Sequence, residues 1–345
     1  IFSIIPVKML LEDRKTLLAC IAGSIVSYNV ICLIRAYCAV KYSDEWIPVG
    51  TVKHLWVHPI KSCKRKEVFS LYCDELGPRH GENRDREFLA IDGETGAMYS
   101  ARNAPRLQLI SADVADGVLT VTTPEGATAR IVLSEVIDQA IVRRATIFGD
   151  HCDGLDCGDV VAELFSEFLQ IPGVRLIYYR DDLFNGRPCV TDPGWWTNPV
   201  PKRSDTVRYV DLSPYHITTE ESMRAVNREL ETPVESRWFR ANIVVDHSLA
   251  WDEDRWSEMR MGDVVLQCYK PCTRCILTTV NPDDGVKSAE MQPLKKMRDF
   301  RLAPEGPLRE VHGQFPIFGV NAGLLQPGYV HVGQTVYVKY KPSAF

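Results

Sequence analysis

The sequence predicts an α+β protein, mostly β, with β-barrel-like domains preceded by one transmembrane helix. Three features predict it. Short runs of alternating apolar residues recur along most of the chain, divided by turns rich in Gly, Pro and Asp. Only two segments carry a helical apolar stripe. The stretch LLACIAGSIVSYNVICLI, residues 17–34, runs for 18 residues without a charge.

That stretch lies at the lower end of the length that spans a bilayer. It is long for the apolar part of a signal peptide, and no small-x-small cleavage site follows it. A single membrane anchor is therefore expected. A buried helix or a cleaved targeting segment competes with it, because Ser24, Ser27 and Asn29 dilute the run. Charges of both signs flank both ends, so the positive-inside rule sets no orientation.

Strands dominate after the anchor. VGTVKHLWVHPIKS reads as alternating, with apolar Val52, Leu55 and Val57, and stops at Pro59, as a strand entering a loop does. FLAIDGETGAMYSAR and GVLTVTTPEGATARIVL each set a turn between apolar runs, a hairpin pattern. CGDVVAELFSEFLQIPG carries Val160, Val161, Leu164, Phe165, Phe168 and Leu169 at helical spacing and closes on Pro172-Gly173. TTEESMRAVNREL opens with Thr218 and Glu221 in capping-box spacing. Between these helices, residues 184–205 are rich in Pro and Gly around Trp195-Trp196. They form either a surface loop or an access lip. ANIVVD, MGDVVLQCY, CILTTV and GQTVYVKYK return to strand periodicity.

Composition removes several functions. A chain of 345 residues exceeds one typical core, so two domains are expected. A net charge of −5 argues against nucleic acid as a partner. Eleven cysteines are an odd number in a chain too long to need disulfides for its core, which points to a reducing compartment. The dinucleotide fingerprint, the P-loop, H-E-x-x-H and G-x-S-x-G are all missing from the sequence.

Chemistry concentrates in CYKPCTRCILTTVNPDDG, residues 268–285. Cys272 and Cys275 form C-x-x-C, but a structural zinc site needs four ligands, and His247 and His312 are single and distant. A redox pair belongs at a helix start, whereas ILTTV favours a strand. Spacing thus leaves core packing, a metal or cofactor thiolate, and redox or zinc chemistry open. Arg274 adjoins Cys275, and a guanidinium near a thiol favours the thiolate that ligates soft metals. Extended neighbours, however, point to opposite faces. Lys61 and Ser62 in HPIKSCK, Arg84 and Arg86 in NRDREF, and Arg240 and Asn242 in FRANIVV are donors suited to a phosphate-bearing ligand.

The ordered blocks VHPIKSC, NRDRE, SARNAPRL, FRANIVV, CTRCILTTVNPDDG and FPIFGVNA resemble the MOSC-domain superfamily, and within it the mitochondrial amidoxime-reducing component family. The resemblance runs from about residue 48 to the end, and the anchor also fits it. It implies an N-terminal segment with anchor at 1–44, an N-terminal MOSC β-barrel-like domain at 47–178 and a MOSC domain at 180–342. It also implies a molybdenum cofactor (Mo-molybdopterin), with no zinc, flavin or nicotinamide bound by this chain. By resemblance Cys275 is the catalytic residue and ligates Mo, while Lys61, Ser62 and Arg86 contact the pterin and its phosphate. Ser213, Arg240, Asn242, Thr273 and Arg274 take the places of further cofactor contacts, and Cys268 and Cys272 are left to packing. One position departs: Asn321 stands where some relatives have a tyrosine.

The implied reaction reduces small N-hydroxylated compounds, amidoximes to amidines and hydroxylamines to amines. Electrons would come from NADH through cytochrome b5 reductase and cytochrome b5, since a cofactor supplies the chemistry and the protein its setting. The implied location is the mitochondrial outer membrane, with the catalytic domains facing the cytosol. A cofactor-binding or carrier module without reductase activity is the alternative.

Overall fold

In a computed structural model, which describes residues 45–189, 200 and 202–344, a closed seven-stranded barrel organises the chain. The anchor expected at 17–34 and the Trp195-Trp196 pair lie outside the described residues. Among the described residues, no helix is long and apolar enough to cross a membrane.

The barrel strands are β1 (Ile47–Val57), β2 (Tyr215–Thr219), β3 (Ile243–Asp246), β4 (Trp256–Met261), β5 (Val264–Thr273), β6 (Ile317–Gln326) and β7 (Thr335–Tyr340). Their hydrogen-bonded order is β3, β2, β6, β5, β4, β7, β1, and β1 pairs back onto β3. Closure leaves none of the seven as a free edge. Leu55, Tyr215, Ile217, Trp256, Met259 and Leu266 fill the interior.

β1 shows how the sequence makes this work. Its residues in the barrel core fall at 52, 55 and 57, a spacing that strict alternation forbids, while buried Trp56 packs in a separate cluster. The register of β1 against β3 shifts between Val52 and His54, and that bulge turns all three inward. A second shift, between Pro48 and Gly50, lets β1 pair with β7 as well. At Gly50 a Cβ would fall 2.1 Å from the Asp246 carbonyl oxygen, so only glycine admits the close approach of β3.

The two predicted helices form as α1 (Asp159–Leu169) and α2 (Glu220–Asn227). α2 crosses between β2 and β3, a parallel pair that needs such a connection. α1 packs Val161, Phe165 and Phe168 against a second core with Phe88, Leu119, Ile131 and Leu176. Val160, read as part of that stripe, is exposed instead. The predicted hairpin after residue 117 forms from Val118–Thr122 and Thr128–Val132.

Three expectations need correction. FLAIDGETGAMYSAR makes its turn, but its second arm contributes only an Ile91–Met98 bridge, and Phe88–Asp92 takes Val174–Tyr178 as ladder partner. CILTTV is not a strand, because Ile276–Thr279 forms a 3₁₀ turn after Cys275. The Thr278 and Thr279 hydroxyls donate back to the carbonyls of Cys275 and Ile276 at 2.9 and 2.7 Å, a local alternative to a ladder. α2 is capped by Thr219, whose Oγ1 accepts the Ser222 N–H at 3.2 Å. Thr218 stands one position further from the helix, and its buried hydroxyl meets no hydrogen-bond partner.

Thr219→Ala should therefore cost about 1 kcal/mol in urea unfolding. Thr218→Val, which removes a buried hydroxyl without a hydrogen-bond partner, should cost less or stabilise. The reverse order would contradict this assignment of the cap.

Candidate functional site

A cleft of about 760 Å³ lies where β1 ends, β5 ends and the chain enters β2 and β3. All nine residues expected to contact a cofactor line it. Lys61 and Ser62 follow β1, and Arg86 follows the short strand Asn83–Arg84. Ser213 precedes β2, while Arg240 and Asn242 lead into β3. Thr273 ends β5 opposite Ile317, with Arg274 and Cys275 next in the chain.

The wall carries unusual backbone. Ser62, Arg86, Phe148, Arg240 and Met291 all line the cleft with φ between +48° and +68°. Non-glycine residues rarely adopt that region, and such conformations concentrate where a surface is shaped for a ligand.

Positive charge collects here faster than negative charge. Lys61 Nζ donates to the Tyr209 carbonyl at 2.7 Å and to Asp211. Burial lowers its pKa, against the pull of Asp211. Arg86 pairs with buried Asp85 and donates from Nη2 to the Arg240 carbonyl at 3.1 Å. Burial would raise Asp85, but Arg86 and His58 bring it well below the usual carboxylate range. Arg240 suffers most: burial and then the Arg86 charge push its pKa down to about 9. A bound anion would reverse that shift.

The thiols are sorted differently from what adjacency suggests. Cys275 is half-buried, and its Sγ accepts from Arg102 Nε at 3.3 Å. Arg102 also donates from Nη2 to Asp211 Oδ2 at 2.7 Å and lies 4.7 Å over the Phe148 ring. Burial would lower the Arg102 pKa, but Asp211 and Cys275 hold it above its ordinary value. Asp211 thus couples Lys61 to Arg102, and Arg102 to the sulfur. Arg274 turns to Cys272 instead, donating from Nη1 to its Sγ at 2.9 Å and from Nη2 to the Phe239 carbonyl at 2.6 Å. Its Nη1 also stands 3.2 Å from His216 Nε2, and burial with the Arg274 charge keeps His216 neutral.

Cys268 packs in the barrel interior as expected, where burial pushes its thiol up to about 12. Cys272, also expected to pack, lines the cleft. The register of β5 against β6 slips at Cys268/Lys270 and again at Pro271/Thr273, so strand alternation no longer fixes which side a residue faces.

Three polar residues brace the walls. Asn242 donates to the Trp56 carbonyl at 3.3 Å and accepts the His216 N–H at 3.2 Å, tying β1 to β2. Ser213 Oγ shares its proton between the Tyr215 carbonyl at 2.7 Å and Asn321 Oδ1 at 2.8 Å. Asn321 in turn donates to the Pro271 carbonyl at 3.2 Å, bridging β6 and β5.

Sequence reasoning passes over Arg102, Asp211 and His216. Arg102 lies inside the SARNAPRL block, but it meets Cys275 across 173 positions, a contact that no local pattern encodes. Asp211 stands two residues before Ser213, and that proximity is the one signal that points to it.

A closed barrel and a cleft in which two half-buried thiols, Cys272 and Cys275, stand among guanidiniums define the class of protein. Residues 49–172 match the MOSC N-terminal beta barrel domain, and residues 204–337 match the MOSC domain. The chain is 36% identical to mitochondrial amidoxime-reducing component 1 of Mus musculus, covering 84% of this chain and 82% of that protein. The Homo sapiens component 1 is 35% identical, with 84% and 83% covered. The Danio rerio protein of the same name is 33% identical, with 94% and 95% covered. The chain belongs to the mitochondrial amidoxime-reducing component family.

Access and burial give a thiol ranking. In a short iodoacetamide pulse on cofactor-free protein, mass spectrometry should find Cys275 alkylated at least about tenfold faster than Cys63, Cys73 or Cys268, which burial pushes up to about 12. Equal labelling would contradict the description of the cleft.

Proposed function

We propose that this chain is a molybdenum-cofactor-dependent reductase of N-hydroxylated compounds, with Cys275 as the protein ligand to the metal. The observation that carries the reading is the Cys275 sulfur, half-buried in the cleft and hydrogen-bonded by Arg102. The donor set fits the group. A pterin cofactor brings a phosphate and soft sulfur donors, and the cleft offers Lys61, Arg86, Arg240 and Arg274 around a thiol, with Asp211 the acid among its lining residues. Arg240, with its pKa pushed down to about 9 by burial and Arg86, is stabilised by an anion there.

When bound, the cofactor supplies the two-electron chemistry that takes an amidoxime to an amidine or a hydroxylamine to an amine. The chain's own residues do the rest. Lys61, Ser62 and Arg86 would hold the anionic end, with Arg240 and Arg274 in the same lining. Arg102, fixed by Asp211, orients the sulfur. Phe148, Ile276 and Phe315 stand exposed around the cleft and give the mouth an apolar rim for small uncharged substrates.

The finer assignments belong to the same proposal. Electrons arrive from NADH through cytochrome b5 reductase and cytochrome b5, in keeping with a sequence that carries no flavin or nicotinamide fingerprint. The segment 1–44 anchors the chain through a helix at about 17–34 in the mitochondrial outer membrane, with the catalytic part in the cytosol; the relatives' mitochondrial names support this. The division into 47–178 and 180–342 is supported by the matched ranges 49–172 and 204–337, with β1 lent to the barrel of the second part.

The test combines molybdenum content with benzamidoxime reduction by the loaded chain. Cys275→Ala should abolish turnover, a loss of at least about 10³-fold. Cys272→Ala, which leaves the proposed ligand in place, should retain most of it. Full activity in Cys275→Ala would refute the mechanism, and molybdenum retention without turnover in the wild type would favour a carrier.

A further inference from the structure

Behind the Arg240 wall of the cleft lies a second, much smaller cavity, with about 10 Å³ of room for the centre of a water-sized sphere. His58, Lys64, Arg65, Gln108, Arg237 and Arg240 line it. Four of these present buried nitrogen atoms that no hydrogen-bond partner meets, His58 Nε2, Arg65 Nε, Gln108 Nε2 and Arg240 Nη2, and a fifth, Arg237 Nε, meets Glu235 only as an ion pair. His58, Gln108 and Arg240 are each more than nine-tenths buried. Folded proteins rarely leave one such group unmet, and four around one cavity make a built site.

The chemistry of three of the four is one-sided. The Arg and Gln nitrogens can only donate. His58 differs: its Nδ1 donates to Asp85 Oδ1 at 3.4 Å, beside the backbone N–H that Asp85 accepts at 2.8 Å, so its Nε2 faces the cavity as an acceptor. Arg237 adds positive charge at the wall, with its own partners Glu235 at 2.7 Å and Asp283 at 2.5 Å outside the lining. Among the described residues no carboxylate lines the cavity.

Four cations and no carboxylate line the cavity, and its unmet Arg and Gln nitrogens only donate, so the site favours an anion. Size selects among anions. The space suits a single atom and excludes a phosphate or a carboxylate with its substituents. We propose that this cavity is a binding site for one halide-sized monovalent anion, held by Arg65, Gln108 and Arg240. Arg240 belongs to both compartments, so the anion compensates that guanidinium from behind the cleft. The site uses no part of the cofactor reading and is complete in the cofactor-free chain.

Crystals of the whole chain grown without halide and soaked in sodium bromide test it at the bromine absorption edge. An anomalous peak inside the cavity is the expected result. In solution, bromide against gluconate at constant ionic strength should raise Tm saturably, and Gln108→Leu should weaken the apparent affinity about tenfold. Gln108 and Arg65 do not line the cleft, so Arg65→Met serves as a second variant. Cavity density that stays non-anomalous in bromide, with bromide found only at surface cations, overturns the proposal. The crystal result decides this on wild-type protein even if both variants fail to fold.

Discussion

The pairing of β1 with both β3 and β7 is the constraint on which the rest of the structure depends. β1 comes from the first part of the chain, yet it closes a barrel whose other six strands lie between Tyr215 and Tyr340. Without it, β3 and β7 would be edges, and the interior around Trp256 and Met259 would be open on one side. Closure also has a chemical result. The chain leaves β1 through Lys61 and Ser62, so the strand that seals the barrel also delivers the first cation of the cleft. Gly50 enables this by letting two backbones meet where a single methyl group would collide.

The second organising feature is a shortage of acid. Six cations line the cleft (Lys61, Arg86, Arg102, Arg240, Arg274 and Arg298), against a single carboxylate in its lining, Asp211, with Asp85 paired to Arg86. Asp211 serves Lys61 and Arg102, and Asp85 serves Arg86, while Arg274 relies on backbone, ring and sulfur, and buried Arg240 Nη2 meets no hydrogen-bond partner. Buried like charges raise the free energy of the empty protein and lower that of any complex with an anion. The left-handed backbone at Ser62, Arg86 and Arg240 fits the same account, because strained conformations persist where the surrounding fold fixes them.

Much of this architecture is legible in the residue pattern, and what is not has physical reasons. Strand periodicity locates β1, β3 and β7, and the i, i+4 stripe locates α1, because each buries one face and the pattern records it. The blocks resembling a known family single out residues that the fold gathers into one cleft from six separate segments. Three kinds of information stay hidden. Cap choice at α2 turns on where β2 gives way to the helix, which leaves Thr219 directly before Glu220 with its hydroxyl in reach of the Ser222 N–H. The face shown by Cys272 turns on bulges that reset alternation in β5. The partner of Cys275 is Arg102, remote in sequence, rather than adjacent Arg274. Adjacency in the chain is the misleading cue, since an arginine beside a cysteine can serve the other cysteine of the same C-x-x-C.

The central claim is that Cys275, and not Cys272, presents its sulfur to the metal. Molybdenum K-edge absorption on the loaded chain reads this directly as the number of sulfur neighbours. The account predicts that Cys275→Ser loses one sulfur scatterer relative to wild type, while Cys272→Ser leaves the spectrum unchanged. An unaltered sulfur shell in Cys275→Ser, or a loss confined to Cys272→Ser, would contradict it.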